Sequence, residues 1–198
     1  MSKINDDEAL LRACIQDLDA GKQLLVRHVP RLADQATDPA LRRVVAEIAE
    51  RAAEHSRRLR STGLAEGAPS NLWMTGIMRD ARRDTRSTAP GPLLDVALIG
   101  ALRKACAAAI VSDDTAIALA EAMGRSDVRA VVAAVQVDER ASDRALAALL
   151  DPLTRAAPRL PPGAGGGASP MAVGGAVAFA AGIHPESGAW WKASATPR

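Results

Sequence analysis

The sequence predicts an all-α fold on three observations. Hydrophobic residues make up 48% of the 198 but aromatic ones only 2%, and alanine alone supplies roughly a fifth of the chain. Small side chains suit closely packed helices, whereas strands draw on aromatic and β-branched residues. Apolar residues also recur at helical spacing through four long segments, separated by a short, a long and a short connection.

The first segment runs from about Asp6 to Leu32 and places Cys14, Leu18, Gly21, Leu25, His28 and Leu32 on one stripe. ATDPA ends it: Thr37 or Asp38 is suited to cap the next helix, with Pro39 in its first turn. That second helix spans about Ala40 to Arg60 with Leu41, Val44, Val45, Ile48, Ala52, His55 and Leu59 inward. Its other face mixes Arg42, Arg43, Glu47, Glu50, Glu54 and Arg57, a solvated surface. Residues 61–91 form a long connection broken by Gly63, Gly67 and Pro69, with a short helix expected over Asn71–Arg83, anchored by Trp73, Met74, Ile77 and Met78. A third long helix runs from about Pro92 to Met123 and stops at Gly124; a fourth covers about Asp127 to Leu150 and stops before Pro152. Short links imply antiparallel pairs, and the long connection is able to cross the length of a bundle, which is the wiring of ferritin-like four-helix proteins. Residues 1–154 are therefore read as the bundle. The Gly/Pro-rich stretch 155–170 reads as a flexible linker and 171–198 as an apolar, Trp-containing tail.

Residues 8–150 resemble the YciE/YciF ferritin-like family, a bacterial domain linked to stress responses. The matching residues are Asp17–Leu25 (DLDAGKQLL), Pro30–Ala33, Asp38–Arg42, His55–Leu59, Asp95–Ile99, Thr115–Gly124 and Asp138–Arg140. Ferritin-like proteins hold two metal ions in the bundle core on carboxylates and histidines, and hard divalent ions favour that oxygen-rich cage. This chain departs from the family at those positions. Gly21 and Arg51 stand where a Glu is typical, Ile48 where a His is typical, and Cys106–Ala109 replaces Glu-His-Tyr-Glu. Asp138 and Glu139 alone are kept. The resemblance thus implies a bundle that has lost its di-metal site, since charges left in a core without their metal carry a heavy desolvation cost. Gly21, poor in helix propensity, suits a close helix crossing.

No catalytic or cofactor-binding residue is expected, and the chain is read as a non-enzyme. The alternative is a non-standard metal site for iron or zinc built on His55, Asp138, Glu139 and Cys106, all competent ligand types. The simpler account of His55 is a core histidine bonded to Glu139 or to a backbone carbonyl. Cys14 and Cys106 read as small buried hydrophobes. Asp113 falls on the inward stripe, with an Arg such as Arg51 as its candidate partner.

The 25 basic and 23 acidic residues leave a net charge of +2, which supplies no strong field for nucleic acid or anionic membrane. The runs around Arg57–Arg60 and Arg79–Arg83 lack interleaved aromatics and have acids nearby, so they read as solvated faces. No segment is long enough to span a membrane, the polar start is unlike a signal peptide, and two unpatterned cysteines favour a reducing cytoplasm. Together these features predict a structural or interaction protein with Phe179, Trp190 and Trp191 as candidate partner-binding residues in the tail, and the ferritin-like resemblance implies a homodimer, since such bundles often pair side by side. The competing expectation for the tail is that it folds back on its own bundle or is simply disordered.

Overall fold

The computed structural model describes residue 4 and residues 6–158, so the linker beyond 158 and the tail lie outside the described residues. The described residues form five helices: α1 (Asp7–Ala33), α2 (Pro39–Ser61), α3 (Leu72–Ser87), α4 (Pro92–Ala122) and α5 (Ser126–Ala156). The all-α class is borne out.

Local signals set most helix ends. Asp6 accepts from Ala9 N at 2.7 Å, Asp38 from Leu41 N at 2.8 Å and Asn71 from Met74 N at 2.7 Å, each relieving an orphan donor of a first turn. At the end of α4, Gly124 takes φ +66°. Its N–H reaches Glu121 O at 3.1 Å while Arg125 N reaches Ala120 O at 2.8 Å, the paired bonds of a Schellman motif. One end departs from expectation: α5 does not stop before Pro152 but continues to Ala156. Pro152 lacks one N–H on an exposed face near the helix end, and the buried Leu153 holds the last turns in place.

The long helices run antiparallel. Leu59 near the end of α2 shares an apolar cluster with Leu11 and Ile15 near the start of α1, and with Val128 and Val132 of α5. Leu41, at the opposite end of α2, clusters with Leu32, Leu98 and Leu153. α1 packs on α2, α4 on α5, and the pairs meet through α1–α4 and α2–α5 contacts. The connection from α2 to α4 therefore crosses from one end to the other, carrying α3 against α1 and α4. Asp95, buried in the first turn of α4, ties down the α1–α2 loop: it accepts from Thr37 N at 2.8 Å, Asp38 N at 3.0 Å and the Thr37 hydroxyl.

Two inward stripes differ from the sequence reading. In α1 the buried residues include Leu11, Ile15, Leu18, Lys22, Leu25, Val29 and Leu32, with Asp19, Gly21 and Ala33 buried beside them; those seven follow an alternation of four and three residues that suits helices crossing at a shallow angle. Cys14 and His28 flank it, half-buried. In α3 the buried stripe is Met74, Met78 and Ala81. Trp73 lies one residue off it and is 82% exposed, so it anchors nothing here. Gly21 does sit at a close approach: a Cβ there would meet Asn71 Nδ2 at 3.3 Å. No helix among the described residues is long and apolar enough to cross a membrane.

Candidate functional site: a charged layer in the core

Each long helix places a buried ionisable residue at mid-core: Lys22 on α1, His55 on α2, Asp113 on α4 and Glu139 on α5, with Asp19 of α1 also buried three residues before Lys22. In each helix that residue interrupts an otherwise apolar stripe. Lys22 separates Leu18 from Leu25, and His55 separates Ala52 from Leu59. Asp113 separates Cys106 and Ala109 from Ala116, and Glu139 stands between Val132 and Leu146. The layer divides the apolar interior into two clusters, with Leu18, Leu59, Ala116 and Val132 on one side and Leu25, Ala52, Cys106 and Leu146 on the other.

At its centre the Lys22 ammonium donates to Glu139 Oε1. Burial opposes ionisation of Glu139, but the Lys22 charge, reinforced by His55, overcomes it and holds the carboxyl down at about 2. His55 is sandwiched between carboxylates. Its Nε2 is hydrogen-bonded to Asp138 Oδ2 at 3.1 Å. Its Nδ1 is 3.3 Å from Glu139 Oε1 but off the line that a hydrogen bond requires, and it has no hydrogen-bond partner among the described residues. Arg58 meets Asp138 at 3.5 Å and Glu54 at 2.9 Å, so the chain of charges runs from Lys22 out to the surface.

Asp113 does not pair with Arg51, contrary to expectation. Arg51 reaches outward to Ser142 Oγ at 3.1 Å and to Glu47 at 3.6 Å. Both Asp113 oxygens lack a hydrogen-bond partner among the described residues. Burial raises its pKa to about 7 against the opposing pull of Lys22. Cys106 is buried as expected, and that burial, with Glu139 beside it, pushes its thiol well up, which removes the thiolate that nucleophilic chemistry needs. A hollow of about 480 Å³ opens beside the layer between Gly21, Lys22, Asn71, Trp73, Ala108 and Ser112.

Of the residues named from sequence as a possible metal site, His55, Asp138 and Glu139 are neighbours, with Asp138 and Glu139 at opposite ring nitrogens of His55. Among the described residues no group of three or more His, Cys, Asp or Glu side chains is placed to hold a metal ion. Sequence reasoning misses Lys22. Its signal is the strict four-and-three alternation of α1, in which it is the one polar member. Phe179, Trp190 and Trp191 lie outside the described residues.

The family model for a domain of unknown function, DUF892, matches residues 7–158 of this chain. Among solved structures, the Escherichia coli stress protein YciF is similar over 77% of this chain and 99% of its own, with a TM-score of 0.72 at 21% identity. YcfI of Rhodopseudomonas palustris, described as a proposed structural protein, is similar over 73% of this chain and 95% of its own, with a TM-score of 0.68 at 22% identity. At such identities the likeness is one of fold. No curated protein matches the sequence.

Proposed function

The chain belongs to the DUF892 family, and from that premise we propose that it is a non-catalytic, ferritin-like structural or interaction protein that has lost the di-metal centre and keeps a lysine–glutamate pair at mid-core. The carrying observation is the Lys22–Glu139 pair at the middle of the core. A ferritin-like core gathers carboxylates around cations. Here the cation is an ammonium fixed to α1, and a resident charge at that point repels any divalent ion that approaches Glu139. The donor set fits two metal ions poorly for a second reason, because the typical glutamate and histidine positions carry Gly21, Ile48, Arg51 and Cys106. Fold likeness to a stress protein and to a proposed structural protein supports a role in assembly under stress rather than in turnover. In this reading the bundle pairs as a homodimer, and Phe179, Trp190 and Trp191 supply anchors for a protein partner.

Thermal unfolding with EDTA, and with added iron, manganese or zinc, tests this. Metal that binds only the folded state raises the melting temperature by mass action. The proposal expects one melting temperature under all these conditions, and a rise of several degrees with any of the metals, reversed by EDTA, overturns it.

A further inference from the structure

The hollow of about 480 Å³ lies between α1, the start of α3 and α4. Small residues keep it open: Gly21 comes from α1, and Ala107 and Ala108 from α4. Leu18, Met74 and Val111 add further apolar wall. Trp73 stands on its rim with the indole 82% exposed. A volume of this size, with mostly apolar walls and a few polar groups, suits a small organic molecule.

Two of its polar side chains are already spent. Lys22 gives its charge to Glu139 of α5. Asn71 donates to the Asp17 carbonyl oxygen at 3.1 Å and accepts from Met74 N at 2.7 Å. Asp17, which also lines the hollow, is different. Its half-buried carboxylate has no cation within 4.0 Å and accepts no hydrogen bond among the described residues. Every other buried or half-buried carboxylate among them is hydrogen-bonded or ion-paired, except Asp113, which is shut inside the core. Burial raises the pKa of Asp17, and no neighbouring charge opposes it. A carboxylate that has lost hydration without gaining a partner is costly, and a cation seated in the hollow would relieve that cost.

We propose that this hollow binds a small hydrophobic cation, an amine or quaternary ammonium with an apolar body, its charge set at Asp17 and the Trp73 ring and its body against the alanine and methionine walls. The sign of the ligand follows from Asp17, since an anion would meet an unpaired carboxylate. A bare divalent ion fits poorly, because it takes about six or more oxygen ligands and these walls are apolar. An indole face is the aromatic surface that attracts an organic cation most strongly. The inference makes no use of the metal-free reading of the core.

The test is calorimetric titration of the full chain with three probes of one shape: naphthylmethyl-trimethylammonium, naphthylmethanol and naphthylacetate. The cation is expected to bind, the alcohol to bind more weakly, and the anion not to bind. Asp17→Asn is expected to weaken the cation about fivefold, the upper end for a half-exposed ion pair, and to leave the alcohol unchanged. Trp73→Leu is expected to weaken the cation about threefold more than the alcohol, the size of an exposed cation–ring contact. Ala107→Phe fills the hollow from an exposed position and is expected to abolish binding of both. Glu50→Gln, an exposed acid on α2, is expected to change nothing. The proposal is overturned if the cation does not bind, if the alcohol or the anion binds as tightly, or if Asp17→Asn and Ala107→Phe bind the cation like the natural chain. It is also overturned if Ala107→Phe turns a dimer into a monomer in sedimentation, which would show that a second copy covers the hollow.

Discussion

Lys22 of α1 and Glu139 of α5, 117 positions apart in the sequence, form an ion pair with side chains 1% and 7% exposed between two apolar clusters. A pair so buried contributes little net stability, since each charge has lost its hydration, but it is costly to break from one side. It also fixes register: a slip of either helix along its axis would bury a lone charge against leucine or valine.

Glu139→Ala should destabilise the fold by about 3–5 kcal/mol, because it leaves the Lys22 ammonium uncompensated. The double variant Lys22→Met/Glu139→Leu should recover most of that loss, since apolar residues of similar volume extend the two clusters into one. Urea unfolding of the three proteins measures both effects. A double variant as unstable as Glu139→Ala would mean that the layer does more than balance its own charges.

Two carboxyls of the layer give the stability opposite slopes with pH. Asp113 holds its proton in the folded state up to about 7 but loses it near 3.8 when unfolded. Its contribution is therefore complete below the lower value and declines as pH rises towards the higher one. Glu139 is pulled from 4.5 to about 2, so its contribution is present above 4.5 and is lost as pH falls towards 2. For these two groups stability peaks in the mildly acid range. Asp113→Asn should flatten the decline between pH 4 and 7 and raise stability above it, as read from urea midpoints across pH. An unaltered decline in that variant would show that Asp113 is not its source.

Asp95→Ala removes the acceptor of two backbone N–H groups and one hydroxyl in the α1–α2 loop. The orphaned groups are partly buried, and a loss of about 2–3 kcal/mol is expected. Asp38→Ala, which removes only the cap of α2, should cost about 1 kcal/mol. Melting temperatures of the two variants should fall in that order.

Much of the fold is legible in the sequence, and the failures have physical causes. Helix ends are readable where the local chemistry is decisive, as at Asp38–Pro39 and Gly124. The resemblance to YciE/YciF proteins, carried by short stretches spread over the four long segments, is borne out by the family match. Pro152 misleads because the cost of one missing N–H is small at an exposed helix end. Trp73 misleads because a large aromatic suggests burial, whereas the α3 stripe of Met74, Met78 and Ala81 turns it outward. His55 and Glu139 are recognisable as neighbours, but Lys22 is not, because a lysine is expected at the surface. Only its partner, on a helix far along the chain, makes its place in the core tolerable.

The most direct test of the central claim is the metal content of the natural chain, measured by elemental mass spectrometry on protein purified without a metal-affinity tag. With Lys22 as the cation of the core, iron, manganese and zinc should each stay below about a tenth of an equivalent. Near one equivalent of any of them, lost on His55→Ala or Glu139→Ala, would contradict the account.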